Sequence, residues 1–229
     1  MDQSWRVGQD YRSCQNFCCE TVKSTADESM EVPMELIILA GMPASGKTTF
    51  SRKLSRALGY PVLEKDEIKE ELFDVIGFEN YAQKRLMDTA ATAVLLRCAD
   101  SILGSGQSLI MVNNFREDAK PAVEELLKKH PGQAVFVFFG GDGDVFYKRY
   151  VERDNLHLRH LGHVLQEHYP PRPGDALEYT MTREEFAEKF EKLGMNEFHI
   201  DGIERIDVDA TYPDKIDVDK LIAEIKAHL

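Results

Sequence analysis

Two glycines five positions apart, followed at once by a lysine and two threonines, set the first chemical question in this chain of 229 residues. The turn runs Gly41, Met42, Pro43, Ala44, Ser45, Gly46, Lys47, Thr48, Thr49. That pattern suits a polyphosphate. Successive backbone N–H groups curl around phosphate oxygens, and the helix that follows aims its positive N-terminal end at the same anion. Lys47 is expected to reach the β- and γ-phosphates of ATP and to stay solvated and unpaired until they arrive. The Thr48 hydroxyl is expected on Mg²⁺, and all nine residues of the turn are expected to touch the nucleotide.

Other clusters tempt a chemical reading and fail on spacing. His157, His160 and His163 recur every three residues, but no acidic or cysteine ligand stands beside them in sequence, so a polar surface is expected. The stretch from Asp207 to Val218 resembles a calcium loop, yet Tyr212 falls where glycine is needed and Val218 where glutamate is needed. Cys14, Cys18 and Cys19 lack a fourth ligand nearby. Cys98 falls on an apolar helical stripe and reads as a buried free thiol.

The elements that must hold the turn are legible around it. Leu36 to Ala40 reads as a buried strand, and Phe50, Leu54, Ala57 and Leu58 mark one face of a helix ending at Gly59. A short strand, Pro61 to Leu63, leads into a helix beginning near Glu67, with Asp66 at its capping position. A long helix is predicted from Asn80 to Leu103, its stripe formed by Met87, Ala90, Ala91, Val94, Cys98 and Ile102. Then comes the strand that ends at Asn113, a helix from Pro121 to about Lys129, and the apolar run from Ala134 to Phe139. Asp142 or Asp144 is expected to cap a helix through Arg153. Thr182 and Glu185 form a capping box ahead of Phe186, Phe190 and Leu193. The last strand, Glu204 to Asp209, leads to a helix carrying Val218, Leu221, Ile222 and Ile225. Strands alternating with helices imply an α/β fold with a parallel sheet covered on both faces and ligands at the carboxyl ends of its strands.

In order along the chain, "GMPASGKTT", "VLEKDEIKEELF", "ILGSGQSLIMVNNF" and "RYVERDNLHLRHLGH" resemble the P-loop kinase family. Its members include AAA-type ATP-binding small-molecule kinases, zeta-toxin-like enzymes and polynucleotide 5′-kinases. The resemblance covers the layout from Met34 to Leu229 and implies a P-loop NTPase three-layer αβα sandwich with a five-stranded parallel sheet and a helical lid. It places Asp66 as the base or orienter of an acceptor hydroxyl, and a carboxylate there would face the γ-phosphate across the crevice. Glu64 would help hold Mg²⁺ through water. Lys69 stands where many relatives carry arginine, and with Asn114 and Arg116 it is a candidate for substrate contact. Between Lys148 and Arg172 five Lys or Arg face three Asp or Glu. Arg149 and Arg153, on one helix face, would meet charge developing on the transferred phosphoryl group, and Arg159 would touch the nucleotide. Surface pairing of these arginines with Glu152 or Asp154 is the competing reading. The segment after the last strand would border the adenine, with Tyr212 at its centre.

Composition narrows the class further. A net charge of −12 argues against a nucleic-acid partner, because such binders show a basic face. No apolar run approaches the roughly 18 residues a membrane span needs, and no signal stretch opens the chain, so a cytoplasmic location is expected. Residues 1–33 are expected to be a flexible leader or extension and 34–229 the kinase domain, with the lid over about 142–172 and a helical insertion over about 173–195. The function implied is transfer of the γ-phosphate of ATP to a hydroxyl of a small molecule. The alternatives are a polynucleotide 5′-hydroxyl kinase and a non-enzymatic ATP-binding switch.

Overall fold

The computed structural model describes residues 34–229, except 178–180, 193, 196 and 197. The expected leader, Cys14, Cys18, Cys19 and Leu193 lie outside the described residues. Five strands form one sheet: β1 (Glu35–Gly41), β2 (Val62–Glu64), β3 (Leu109–Val112), β4 (Gln133–Gly140) and β5 (Glu204–Asp209). Every pairing is parallel and the order is β2-β3-β1-β4-β5. The chain builds one flank of β1 and then crosses to the other. The crevice beyond the end of β1 is therefore the switch point at which such sheets bind ligands.

Alternate residues of the strands feed two cores. Ile37, Leu39, Ile110, Val112, Val137 and Phe139 pack beneath α1 (Lys47–Leu58), α5 (Gly143–Asn155), α7 (Arg183–Lys192) and α8 (Val218–Ala227). Leu36, Ile38, Met111, Phe136 and Phe138 pack beneath α3 (Tyr81–Gly104) and α4 (Lys120–Lys129). With both faces covered, the strands can be apolar throughout, which is why they read as runs and not as alternations. Leu54, wholly buried on α1, fixes that helix to the sheet, and its loss to alanine would cost about 2–5 kcal/mol.

A third cluster joins α2 (Lys65–Ile76) to the segment after α5. Phe73, Phe78, Met87 and Leu165 are its buried members, and the short helix α6 (Leu161–Val164) lies against it. Gly162 is required there, because a Cβ would overlap the Phe73 ring.

Several local expectations are met. Asn80 caps α3, accepting from the Gln83 N–H at 3.0 Å, and Asp142 caps α5, accepting from Asp144 and Val145. The capping box is formed: the Thr182 N–H donates to Glu185 at 2.8 Å and the Glu185 N–H donates to Thr182 at 3.2 Å. The stripe on α3 is different from that expected. Lys84, Met87, Asp88, Ala91, Leu95, Ala99 and Leu103 are buried, whereas Val94 is exposed and Cys98 is half-buried. The helix is apolar on more than one side, so two stripes compete, and the buried one includes charged residues. Among the described residues no helix is long and apolar enough to cross a membrane.

Candidate functional site

Gly41 ends β1 with φ +130°, and a Cβ there would overlap the carbonyl oxygen of Phe139 on β4. Only glycine fits. The Met42 N–H donates to that same carbonyl at 3.1 Å, then Ala44 (φ 60°) and Gly46 (φ 91°) turn the backbone through left-handed conformations into the start of α1. Lys47 opens the helix and folds back over the loop. Its Nζ donates to the carbonyls of Gly41 at 2.9 Å and Met42 at 2.7 Å, and to Ser45 Oγ at 3.3 Å. The residue is only 8% exposed. This corrects the expectation of a solvated, unpaired lysine: Lys47 is buried and its Nζ is held by the loop carbonyls. Burial pushes its pKa down to about 7, with Asp66 and Glu64 opposing that shift and Arg153 and Arg159 reinforcing it. A polyanion in the loop would restore the charged form.

A cavity of about 590 Å³ opens over this loop. Pro43 to Thr49, Glu64, Asp66, Asn114, Arg149, Arg153 and Arg159 are among the residues that line it. Arg153 lies over the Tyr150 ring at 5.0 Å, and its Nε donates to Asp154 at 3.3 Å. Its Nη2 is buried without a partner. A buried guanidinium N–H left unmatched beside a phosphate loop fits an anion in the cavity. Thr48, in the first turn of α1, and Glu64, whose carboxylate accepts from Ser51 Oγ at 2.9 Å, face the same space and fit a Mg²⁺ carried by phosphates and water. Among the described residues no group of three His, Cys, Asp or Glu could hold a metal by itself.

Arg149 is engaged differently from Arg153. Its guanidinium donates to the backbone carbonyls of Ala210, at 3.1 Å, and Thr211. It thereby ties α5 to the loop after β5, which Thr211 also anchors by accepting from the Asp142 N–H at 2.9 Å. Tyr212 is half-exposed and lies outside the cavity lining, with Lys215 Nζ 4.2 Å from its ring centre.

A second cavity, of about 140 Å³, shares Pro43, Asp66, Asn114 and Arg159 with the first. Asp66 and Arg159 therefore stand where the two spaces meet, with Arg159 Nη2 donating to Asp66 Oδ2 at 3.1 Å and Nη1 donating to the Tyr150 hydroxyl at 3.2 Å. Asp66 is not the helix cap that the sequence suggests. The helix starts one residue earlier, at Lys65, so Asp66 occupies its first turn. Desolvation works against its charge, but the positive field of His163, Arg159, Lys65 and Lys69 outweighs it and holds the carboxyl far below the usual range. His163 is itself pushed down to about 4 by burial, so near neutral pH the guanidinium and ammonium groups supply that field.

Lys69 and Arg116 line the second cavity rather than the first, and both reach Asp88 of α3. Asp88 Oδ1 accepts from Lys65 Nζ at 2.6 Å and Lys69 Nζ at 2.8 Å, and Arg116 Nη1 lies 3.5 Å from Oδ2.

The segment after α5 is docked onto α2 and α3. His160 Nε2 lies 3.0 Å from Asp74, His163 Nε2 lies 3.0 Å from Glu70, and the Tyr169 hydroxyl donates to Asp74 at 2.6 Å. Lys84 Nζ donates to the carbonyls of His163 and Leu165. The expectation of three histidines on a polar surface holds for the exposed His157 and is corrected for the other two: His163 is buried, and both it and His160 pack on Phe73 and pair with carboxylates of α2. Those partners lie some 90 residues away in sequence, out of reach of spacing rules. Lys65, Lys84, Asp88 and Lys189 were missed altogether. For Lys84 and Asp88 a signal existed, since both sit i, i+4 on the face that buries Met87 and Ala91.

A family model described as AAA domain matches residues 36–157, more than half of the chain. The chain belongs to this P-loop kinase family. The P-loop kinase fold is shared with a crystal structure of a candidate kinase from Chloroflexus aurantiacus, 30% identical, with a TM-score of 0.71 over 86% of this chain and 99% of that one. A shikimate kinase of Clostridium botulinum is 30% identical over 113 residues, which is 42% of this chain. That match spans 65% of the relative's own length. A sugar kinase from Janibacter sp. HTCC2649, 14% identical with a TM-score of 0.50 over 86% of this chain and 94% of that one, shares the fold.

Proposed function

We propose that the protein is an ATP-dependent kinase that transfers the γ-phosphate to a hydroxyl of a small molecule. One observation carries the reading: Asp66 and Arg159 stand at the junction of a cavity over the phosphate loop and a separate, smaller cavity. A nucleotide switch needs only the first of these.

In this account residues 41–49 hold the β- and γ-phosphates through backbone N–H groups, with Lys47 turning its Nζ from the loop carbonyls to phosphate oxygens. Mg²⁺ bound at Thr48, with Glu64 behind it through water, would neutralise charge on those phosphates. The acceptor oxygen forms a bond to the γ-phosphorus as the bond from that phosphorus to the β–γ bridging oxygen breaks, and ADP departs with the electron pair. The hydroxyl proton passes to Asp66 or through it to solvent. A carboxyl held below its usual range is a weak base towards a free hydroxyl, so Asp66 first aims the acceptor's O–H and then takes its proton late, as that oxygen bonds to phosphorus and becomes acidic. A loose phosphoryl-transfer transition state asks for little more. Arg153, through its unmatched Nη2, and Arg159 meet the charge on the phosphoryl group in flight. Arg149 holds the loop from Ala210 to Tyr212 in place against the nucleotide.

The test is Asp66→Asn. This keeps size and hydrogen-bond acceptance but removes the charge that receives the proton, a contribution of about 10²- to 10⁴-fold in rate. The variant should bind ATP and phosphorylate its acceptor at least about a hundredfold more slowly. Near-normal transfer would remove Asp66 from the reaction and with it the argument from the junction.

A further inference from the structure

The second cavity carries more positive charge than its own carboxylates can match. Asp88 accounts for Lys65 and Lys69, Asp66 for Arg159, and Arg116 is shared between Asp88 and Asp118, the latter outside the cavity lining. Three further cations line the same space: Lys84 and Arg85 from α3 and Lys189 from α7. None of the three has a carboxylate partner among the described residues. Lys84 is buried, donating only to two backbone carbonyls and lying 5.6 Å from the Phe78 ring centre. Lys189 Nζ lies 5.9 Å from the Phe190 ring centre. In a chain of net charge −12, seven cationic side chains against two carboxylates around one small cavity is a local reversal of sign. Arg85 stays exposed at the rim, but Lys84 is buried and Lys189 half-buried, and taking those two ammonium groups out of water is costly unless an anion completes the site.

We infer that the acceptor is a compact molecule bearing an anionic group as well as the reacting hydroxyl, with the hydroxyl at Asp66 and the anion held between Arg85, Lys189 and the Lys69–Arg116 side of the cavity. Lys189 and Arg85 are then substrate-selecting residues. This rests on the kinase reading above and adds the substrate's charge to it. The carboxylate of a hydroxy acid and the phosphate of a monoester share the required chemistry. The roughly 140 Å³ available favours either over a polymer. Asp66 itself excludes the anion from the reacting end, so the two groups of the substrate have only one way round. The cost of the unmatched lysines is borne by the free protein and is recovered when the substrate enters. Burial and the neighbouring cations depress the pKa of both Lys84 and Lys189, and a bound anion would reverse that shift.

The experiment uses the full chain with MgATP and matched pairs of acceptors: small hydroxycarboxylates against their primary amides, and sugar phosphates against the free sugars. A 5′-hydroxyl oligonucleotide is included. Product is counted as new phosphate ester, and binding is followed by melting-temperature shift in the presence of MgADP. The expected result is that one anionic set reacts and stabilises the protein with kcat/KM at least about tenfold above its neutral counterparts, as one charge-assisted contact supplies. Which set does so identifies carboxylate or phosphate. Lys189→Met and Arg85→Met should each erase much of that preference while the affinity for MgADP stays close to wild type, and the melting temperature without acceptor should not fall in either, rising in Lys189→Met, where an unmatched ammonium is lost. Equal use of neutral acceptors, phosphorylation of the oligonucleotide alone, or an unchanged preference in both variants would overturn the inference and leave the kinase reading standing. Stabilisation by the anions without any phosphate ester would overturn the kinase reading, and the inference with it, leaving only an anion site in the second cavity. No response to any anion, in rate or in melting temperature, would overturn the inference as well.

Discussion

Raising the pH from 7.5 to 8.5 should weaken the binding of MgADP about eightfold, because Lys47 must take up a proton when phosphate arrives. In the free protein its pKa is about 7, lowered by burial beneath the loop carbonyls. At pH 8.5 most of these lysines are neutral. A bound polyphosphate restores the ordinary lysine value, near 10.4, so the bound form is almost fully charged throughout. The ratio of free-state proton binding between the two pH values gives the eightfold change, or about 1.2 kcal/mol. The same shift acts on stability with a definite sign. The unfolded chain binds the Lys47 proton up to its ordinary pKa and the folded chain releases it near 7, so stability of the free protein rises with pH across that window. Titration calorimetry in two buffers of different ionisation enthalpy measures the proton directly, and uptake approaching one per nucleotide is expected at pH 8.5. Lys84, also pushed down to about 7, lies in the other cavity, so a Lys84→Met variant should retain the linkage. An affinity independent of pH, with no proton taken up, would refute the placement of Lys47 as the group that changes charge.

Asp88→Asn leaves Lys65, Lys69 and Arg116 without their shared carboxylate and should cost about 3–5 kcal/mol, read as a lower urea midpoint. Gly41→Ala forces a Cβ into the Phe139 carbonyl and should lower both the melting temperature and nucleotide affinity, whereas a variant with normal values would show that β1 and β4 can part at that point. Arg153→Ala should reduce turnover about 10²- to 10³-fold with a smaller change in MgADP affinity, measured by comparing kcat with the dissociation constant. Equal losses in both would make Arg153 a ground-state nucleotide ligand.

The parallel sheet and the phosphate loop were legible because each depends on neighbours in sequence. β5 was placed to the residue, and the apolar run of β4 and the capping box at Thr182 and Glu185 follow from local pattern. The phosphate loop is likewise continuous, although the motif alone does not give the fold-back of Lys47 onto the carbonyls of Gly41 and Met42. What spacing could not give is the pairing of charges across elements. Asp88 meets Lys65 and Lys69 from a different helix, and His160 and His163 find Asp74 and Glu70 only once α6 folds onto α2. The α3 stripe failed for another reason. The helix is apolar on two sides, and counting only apolar residues passed over Lys84 and Asp88, the positions that mark the side turned toward the small cavity.

The central claim is that phosphate goes to a hydroxyl and not to water. Phosphorus NMR of the full chain with MgATP, in the presence of the hydroxy acid and sugar phosphate panel, separates the two fates because a phosphate monoester and inorganic phosphate resonate apart. The account predicts monoester accumulating mole for mole with ADP for at least one acceptor, with its formation lost in Lys47→Met and slowed about a hundredfold or more in Asp66→Asn. ADP matched by inorganic phosphate alone, at a rate indifferent to every acceptor, would contradict it and mark the protein as a nucleotide hydrolase or switch.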